Sequence, residues 1–303
     1  MSANLYTNQE SNVFKTGVLR SVFFVVIIGL GMYASWYFES SVILYGAVAF
    51  SVLMNIFSYW FSDKIVIKIT GAKLADENQY KELHNLVENL SITAGLPKPK
   101  VYVINDSSPN AFATGRNKDH AAVAFTTGIL ETLNRSELEG VVAHELAHVG
   151  NKDILLQTVI VVLVGFITLI ADLLLRSSMY GGGGNRDSRA HTILLVVGIV
   201  LAILSPLIAT VIQLAISRKR EFLADATGAL LTRYPEGLAS ALEKIEQHSG
   251  KMKKANHATA HLFISDPYGE KTTVKKINFF HKIFLTHPPI YERTAQLRGL
   301  SIK

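Results

Sequence analysis

Long uncharged apolar segments are the feature that most limits what this chain can fold into. A helix needs about 20 apolar residues to cross the hydrocarbon core of a bilayer, and helices buried in soluble cores are rarely that long. Four segments meet or approach this length, so the sequence predicts about four transmembrane helices. The second pair could instead be partly covered by the polar part of the chain. The segments are residues 21–38, 41–62, 154–171 (continuing to residue 175) and 192–217.

The first apolar segment predicts a membrane anchor rather than a cleaved signal peptide. It has no small-residue cleavage site, and a second segment follows after only Glu39 and Ser40. With four spans, most flanking cations fall on one side, and the positive-inside rule then predicts that both termini and both polar parts face the cytoplasm. These cations are Lys15, Arg20, Lys64, Lys68, Lys152, Arg218, Lys219 and Arg220, against Arg176, Arg186 and Arg189 on the opposite side.

The polar parts of the chain carry patterns of both strands and helices. Alternating isoleucines at residues 64–70 indicate a half-buried strand, and Ser136 with Glu139 has the spacing of a capping box. The fold class is therefore a mainly α membrane protein with a small α+β domain. Further strands are predicted at residues 101–104, 110–114 and 121–125, and helices at residues 76–94, 218–248 (with a break near Pro235) and 290–297. Residues 251–284 are predicted to be a loop with short helices.

The absence of cysteine narrows the chemistry that is available. The chain cannot form a disulfide, a thiolate metal site or a cysteine nucleophile, so a metal would be bound by His, Asp or Glu. The net charge of +6 is not arranged as a basic stripe interleaved with aromatic residues. We therefore expect no nucleic-acid partner, and we assign the charge to membrane topology.

The segment His144-Glu145-Leu146-Ala147-His148 has the pattern of a zinc-binding helix. Residues four apart lie on one face of a helix, so His144 and His148 can bind the same ion. Glu145 is placed to reach a water on the metal rather than the metal, and to act as its general base. One Zn²⁺ per subunit is the predicted cofactor.

A catalytic zinc keeps three protein ligands, so a third ligand is required. One known pattern has a third histidine six residues after His148, but that position is Ile154. The other pattern has a glutamate on a later helix, which Glu221 fits. Asp225, four residues on, is then placed to accept a hydrogen bond from a ligand imidazole. Two predicted spans separate His148 from Glu221, which returns both to the same side of the membrane.

Taken in order, these motifs resemble the HtpX-type membrane metallopeptidases, which are relatives of the CAAX prenyl endoprotease. The resemblance covers nearly the whole chain. The CAAX enzymes are larger, with seven spans around a chamber, so a prenylated substrate is not favoured. The motifs are His144 to His148, Glu221 to Asp225, Asn110 to Ala113, and Thr286 to Pro289 followed by Glu292 and Arg293.

The resemblance implies a gluzincin-like endopeptidase of the inner membrane that cleaves misfolded or damaged membrane proteins. Asn110, Ala111 and Phe112 would form an edge strand that pairs with extended polypeptide substrate. His287 would steady the oxyanion, and Arg293 would contact substrate or support the site. The resemblance also implies functional overlap with an AAA+ membrane protease.

These expectations divide the chain into four regions and leave two weaker interpretations open. A non-catalytic scaffold could keep a metal site for stability, and a transporter would place polar groups within its spans. The regions are an N-terminal membrane hairpin (1–62), the first part of the catalytic domain (63–153), a second membrane hairpin (154–217), and the second part of the catalytic domain with the third ligand (218–303).

Overall fold

The structure, a computed structural model, is mainly helical with one small sheet. It describes residues 5–37, 39–180, 195, 197–199, 218–256, 258–269 and 288–300. The helices are α1 (Leu5–Tyr37), α2 (Ser41–Thr70), α3 (Lys81–Ala94), α4 (Thr127–Thr132), α5 (Arg135–Gly150), α6 (Asp153–Tyr180), α7 (Arg218–Thr232), α8 (Pro235–Gln247) and α9 (Ile290–Arg298).

Helices α1 and α2 form the N-terminal hairpin and are both long and apolar enough to cross a membrane. Helix α6 follows α5 after a bend of 82°, and the two together count as a third candidate only if they are one broken span. Of the predicted fourth span, only residues 195 and 197–199 are among the described residues, so the span cannot be followed. Two of the four predicted spans are thus present as separate candidate helices.

The prediction of a strand at residues 64–70 is wrong, because α2 continues through this segment to Thr70. The isoleucine alternation also fits a helix whose buried face repeats about every four residues, as at Ser58, Ser62, Val66 and Thr70. Gly71 ends the helix in the left-handed conformation, with φ of 71°. The N-terminal hairpin therefore joins the polar domain without a break in α2.

A four-stranded sheet forms one side of the polar domain. Its order is β1-β2-β4-β3, with β2 and β4 parallel and the other pairs antiparallel. The three strands predicted after residue 100 are confirmed, whereas the two-residue β1 was not predicted. Strand β3 stands at one end of this order. The strands are β1 (Lys73–Leu74), β2 (Lys100–Ile104), β3 (Ala111–Gly115) and β4 (Ala121–Thr126).

The capping box of helix α5 lies two residues earlier than predicted. Asn134 caps the helix, and Glu137 completes the box by accepting from the Asn134 backbone N–H at 2.9 Å. The pairing of Ser136 with Glu139 is therefore wrong. The Glu137 carboxylate also accepts from Ser240 Oγ at 2.7 Å and Lys244 Nζ at 2.8 Å. One side chain thus starts α5 and joins it to α8.

Two glycines allow α5 to approach α7 and α8 closely. A Cβ on Gly228 of α7 would lie 3.0 Å from the backbone nitrogen of His144, and one on Gly140 would lie 2.7 Å from that of Leu238 in α8. Neither position has room for a larger side chain without a shift of backbone. This close packing brings the face of α7 with Glu221 and Asp225 against the histidine face of α5.

The C-terminal half of the domain follows the predicted pattern. Residues 218–247 are helical with a break just before Pro235, and the terminal helix α9 matches its predicted range closely. Between α8 and α9, the described residues include a 3₁₀ turn at Ala260–Leu262. Residues 258–264 are buried, so this predicted loop segment is part of the core.

Candidate metal centre

Helix α5 presents His144, Glu145 and His148 inside the domain, and all three are buried. The Nε2 atoms of His144 and His148 lie 3.2 Å apart, as the spacing of four residues predicts. Both imidazole rings therefore direct Nε2 toward a common point.

Glu221 in the first turn of α7 faces the two histidines. Its carboxylate oxygens lie 3.9 Å from His144 Nε2 and 3.7 Å from His148 Nε2. The three side chains could together hold a metal ion, since their ligand atoms all lie within 4.8 Å of one another. Two imidazole nitrogens and a carboxylate form a donor set that suits zinc.

His144 is supported by Asp225 and Arg293, which we call the Asp225 arm. Asp225 Oδ1 lies 3.0 Å from His144 Nδ1, close enough to orient the ring although the pair is not aligned as a hydrogen bond. Arg293 donates to both oxygens of Asp225, from Nη2 at 2.7 Å and from Nε at 2.8 Å. Burial alone would raise the pKa of Asp225, but the charge and hydrogen bonds of Arg293 lower it to about 2.

His148 is supported by Asp153, with Asn12 and Arg220 behind it, and we call these three residues the Asp153 arm. His148 Nδ1 lies 2.9 Å from Asp153 Oδ2. Because a carboxylate can only accept, Nδ1 donates and Nε2 is left to bind a metal. Burial lowers the pKa of His148, but the hydrogen bond to Asp153 and the charges of Glu221 and Asp153 outweigh it and raise this pKa to about 9.

The second oxygen of Asp153 is held from the membrane hairpin. Asn12 of α1 donates from Nδ2 to Asp153 Oδ1 at 2.5 Å and to the Asn151 carbonyl at 3.1 Å. Arg220 Nη1 donates to Asn12 Oδ1 at 3.2 Å and lies 3.7 Å from Asp153 Oδ1. The carboxylate that orients His148 is therefore held by helices distant in sequence.

Glu145 lies beside the cluster with its carboxylate near the backbone of β3. Burial is the main influence on it and raises the pKa of this carboxyl to about 7, with opposing effects from the charges of His148 and Glu221. A hydrogen bond from the Ala113 backbone lowers the pKa and favours the ionised form. Glu145 can thus change its protonation state near neutral pH.

The outer edge of β3 already has a partner from the same chain. Ile264 N donates to the Ala111 carbonyl at 2.9 Å, and Phe112 and Phe263 form an antiparallel bridge with their rings edge to face. The Asn110 side chain donates to the Ser265 carbonyl at 2.9 Å and accepts from its N–H at 3.2 Å. We call residues 262–265 the covering segment.

The structure brings together all the predicted residues of the cluster that it describes. Arg293 joins the site through Asp225 and is fully buried, whereas His287 lies outside the described residues. Asn110, Ala111 and Phe112 lie at the edge strand but beside the covering segment. The sequence interpretation missed Asp153 and Asn12.

Two histidines outside the cluster, His84 and His261, are also buried. They place Nε2 near backbone carbonyls, 3.1 Å from Ala75 O and 3.2 Å from Gln157 O. Both therefore have structural roles away from the metal cluster.

Comparison with known proteins places these features in a family context. The model of "Peptidase family M48" matches residues 77–301. The chain is 45% identical over 304 residues to the "Protease HtpX homolog" of Caldanaerobacter subterraneus subsp. tengcongensis, covering 98% of each chain. It is 41% identical over 291 residues to that of Pyrococcus furiosus, covering 95% of this chain and 96% of the other.

Among solved structures, the crystal structure of S. mikatae Ste24p has a similar fold. The TM-score is 0.52 at 18% sequence identity, with 96% of this chain and 67% of that chain covered. At this level of identity, the similarity concerns the fold alone.

Proposed function

Since this chain belongs to peptidase family M48 and is a metalloprotease, we propose that it is a zinc endopeptidase of the membrane that cleaves misfolded or damaged proteins. The observation that carries this proposal is the buried cluster of His144, His148 and Glu221 with Glu145 beside it. The site has three residues that could bind a metal, two aspartates that orient the histidines, and one further glutamate. These are the groups that metal-assisted hydrolysis of a peptide bond uses.

The three ligands would hold one Zn²⁺ per subunit. When bound, zinc supplies Lewis acidity, which lowers the pKa of water toward neutrality and polarises a carbonyl group. The protein's own part is orientation, because the Asp225 and Asp153 arms hold the two imidazoles in place. Carboxylates in these outer positions also raise the basicity of a histidine ligand.

Glu145 is proposed as the general base. Its carboxyl is buried, and burial raises the pKa to about 7, so it can take a proton from water and return it to a leaving amine near neutral pH. The Ala113 N–H orients the carboxylate from the side of β3. Glu145 is therefore positioned for proton transfer beside the strand that is proposed to bind substrate.

Extended polypeptide is the proposed substrate, added to the edge of β3. Backbone pairing gives affinity with little demand on sequence, which suits an enzyme that degrades damaged proteins. The Ala111 carbonyl is bonded to Ile264, so a substrate strand that uses this acceptor competes with the covering segment. We propose that substrate displaces part of the covering segment or pairs beyond it.

The two remaining residues of the predicted site have different support. Arg293 is fully buried and bonded to Asp225 and to the Ile264 carbonyl at 3.1 Å, which favours a supporting role over contact with substrate. His287 is retained as a proposed donor to the oxyanion of the reaction.

The proposed location is the inner membrane, with several spans and the metal centre on the cytoplasmic side. Support comes from the two candidate membrane helices and from the excess of Lys and Arg flanking the apolar segments. Overlap with an AAA+ membrane protease is a proposal carried by the resemblance alone.

Glu145→Gln in detergent micelles tests this function. We expect zinc content to stay at one ion per chain, while cleavage of an unfolded protein falls by roughly 10²–10⁴-fold. Glu139→Gln is the matched control, since Glu139 lies on the same helix but pairs with Arg135 at its surface. Undiminished cleavage by Glu145→Gln would contradict the assignment, and a zinc-loaded wild type without turnover would favour the scaffold.

A further inference from the structure

The Asn12 side chain connects the first membrane helix to the metal centre. We propose that Asn12 is a positioning residue, which holds Asp153 so that His148 presents Nε2 to the metal. The α1 helix is then a part of the metal site as well as an anchor. This inference rests on the proposed metal site but not on the identity of the substrate.

Asn12 uses its whole amide group within the protein. Both N–H donors are engaged, with Asp153 Oδ1 and with the Asn151 carbonyl, and its oxygen accepts from Arg220. It is only 2% exposed, although its neighbours Val13 and Phe14 are 50% and 72% exposed. Burying an amide is unfavourable unless its hydrogen bonds are satisfied, so this set of contacts specifies one orientation.

The contacts form a continuous path to the ligand atom. Asn12 holds Oδ1 of Asp153, which leaves Oδ2 directed at His148 Nδ1 at 2.9 Å. This hydrogen bond decides which nitrogen of the ring carries the proton, and therefore which one can bind a metal. A rotation of the Asp153 carboxylate would weaken the preference for the His148 tautomer with its proton on Nδ1.

The chemistry of an amide fits this task. A neutral donor fixes the direction of a carboxylate without cancelling its charge, so Asp153 can still make His148 more basic. Arg220 lies within ion-pair distance of Asp153 Oδ1, at 3.7 Å, and donates a hydrogen bond to Asn12 Oδ1 at 3.2 Å. The family model begins at residue 77, so Asn12 lies outside the part of the chain that it matches.

The test measures zinc affinity of the full-length chain in detergent micelles, by competition with a chromogenic chelator. The variants are Asn12→Ala and Asn12→Thr, whose hydroxyl keeps one donor. Asn55→Ala and Asn55→Thr are matched controls, because Asn55 lies in the same hairpin and bonds Arg20 instead. Thermal unfolding of each zinc-free variant reports whether it is folded.

We expect Asn12→Ala to weaken zinc binding about tenfold, at the lower end of the range for outer-shell partners. Asn12→Thr should recover part of this loss, and both Asn55 variants should bind zinc like wild type. In the Co²⁺-loaded protein, Asn12→Ala should shift the visible absorption bands of the metal, which reflect ligand geometry. A helix that only anchors the protein would leave these bands unchanged.

Equal zinc affinity and equal Co²⁺ bands in wild type and Asn12→Ala overturn the inference. If Asn12→Ala does not fold, the comparison of Asn12→Thr with Asn55→Thr decides, and equal affinities again overturn it. A wild type that binds no zinc overturns the proposed function together with this inference. Tight binding by wild type that depends on Asn12 supports it even if no cleavage is found.

Discussion

His144 and His148 each meet an aspartate through Nδ1, but the two aspartates are held in different ways. Asp225 accepts two hydrogen bonds from the buried guanidinium of Arg293. Asp153 is held mainly by the neutral amide of Asn12, with Arg220 further away. In both arms of the candidate metal centre an aspartate faces a histidine Nδ1. A guanidinium binds Asp225 directly, whereas an amide binds Asp153 and the guanidinium of Arg220 lies 3.7 Å away.

The two arms also lead to different parts of the molecule. Arg293 of the Asp225 arm donates to the carbonyl of Ile264, in the covering segment beside β3. The Asp153 arm ends in α1, a candidate membrane helix. One ligand is thus connected to the proposed substrate edge and the other to the membrane hairpin.

Arg293→Met breaks the Asp225 arm and should have the largest effect. It leaves Asp225 as a buried charge without its guanidinium, a situation that typically costs about 3–5 kcal/mol of unfolding free energy. Chemical unfolding of the zinc-free protein measures this loss of unfolding free energy. Arg298→Met is the control on the same helix, where the exposed pairs with Glu236 and Glu243 should contribute little to stability. Equal losses in the two variants would contradict the expected role of Arg293.

Asp153→Asn breaks the other arm with less effect on folding. Its amide can turn a donor toward His148 Nδ1 and favour the tautomer that cannot bind metal through Nε2. We expect zinc affinity to fall about 10–100-fold, as for other outer-shell partners, with a smaller loss of stability than for Arg293→Met. Chelator competition and chemical unfolding measure the two quantities. A larger loss of stability than of zinc affinity would place Asp153 among purely structural residues.

The pH dependence of the zinc-free protein should differ between the arms. The pKa of His148 is raised to about 9, so its stabilising contribution is complete below about 6.5, the usual pKa of His, and is lost as pH rises through 9. Burial lowers the pKa of His144 to about 4, so its contribution is present above 6.5 and lost as pH falls toward 4. The unfolding free energy measured from pH 4 to 10 tests both of these pH dependences.

The raised pKa of His148 also predicts that zinc competes with a proton on this residue. Zinc affinity should rise by up to about tenfold per pH unit between neutral pH and 9, and the slope should be flatter in Asp153→Asn. Chelator competition at several pH values measures the slope. An unchanged slope in Asp153→Asn would show that another group takes the proton.

Asn110→Ala tests the contact between β3 and the covering segment and should have the smallest effect on stability. It removes two hydrogen bonds to Ser265 and should cost about 1–2 kcal/mol of stability. By loosening the covering segment, it should also speed cleavage of a short extended peptide. Asn117→Ala is the control, since Asn117 caps a turn at the other end of β3. Slower cleavage would instead support direct contact of Asn110 with substrate.

The sequence predicts the Asp225 arm better than the Asp153 arm for geometric reasons. His144 and His148, like Glu221 and Asp225, are four residues apart on one helix, and this spacing alone places them on a common face. Asp153 is five residues after His148, about 140° around an unbroken helix. It meets His148 because the chain bends by 82° at Lys152, which has a φ of 58°.

Long-range contacts account for the other differences between the sequence predictions and the structure. Asn12 is 141 residues from Asp153 in the chain, and its polar side chain resembles an ordinary residue at the start of a span. The strand predicted at residues 64–70 failed because the isoleucine alternation is compatible with two periods, and packing of Val66 and Thr70 selects the helix. The covering segment could not be foreseen, since its pairing depends on the fold of residues 258–269.

The contact between Asn12 and Asp153 also fixes how far the candidate metal centre lies from the start of a candidate membrane span. Asn12 is the first residue of the candidate span Asn12–Tyr33, so a bilayer crossed by α1 would begin at the residue that holds Asp153. The headgroup layer is roughly 5–8 Å thick on each side, and an extended chain advances about 3.3 Å per residue. Under the proposed function, a polypeptide leaving the bilayer would thus reach the metal after only a few residues.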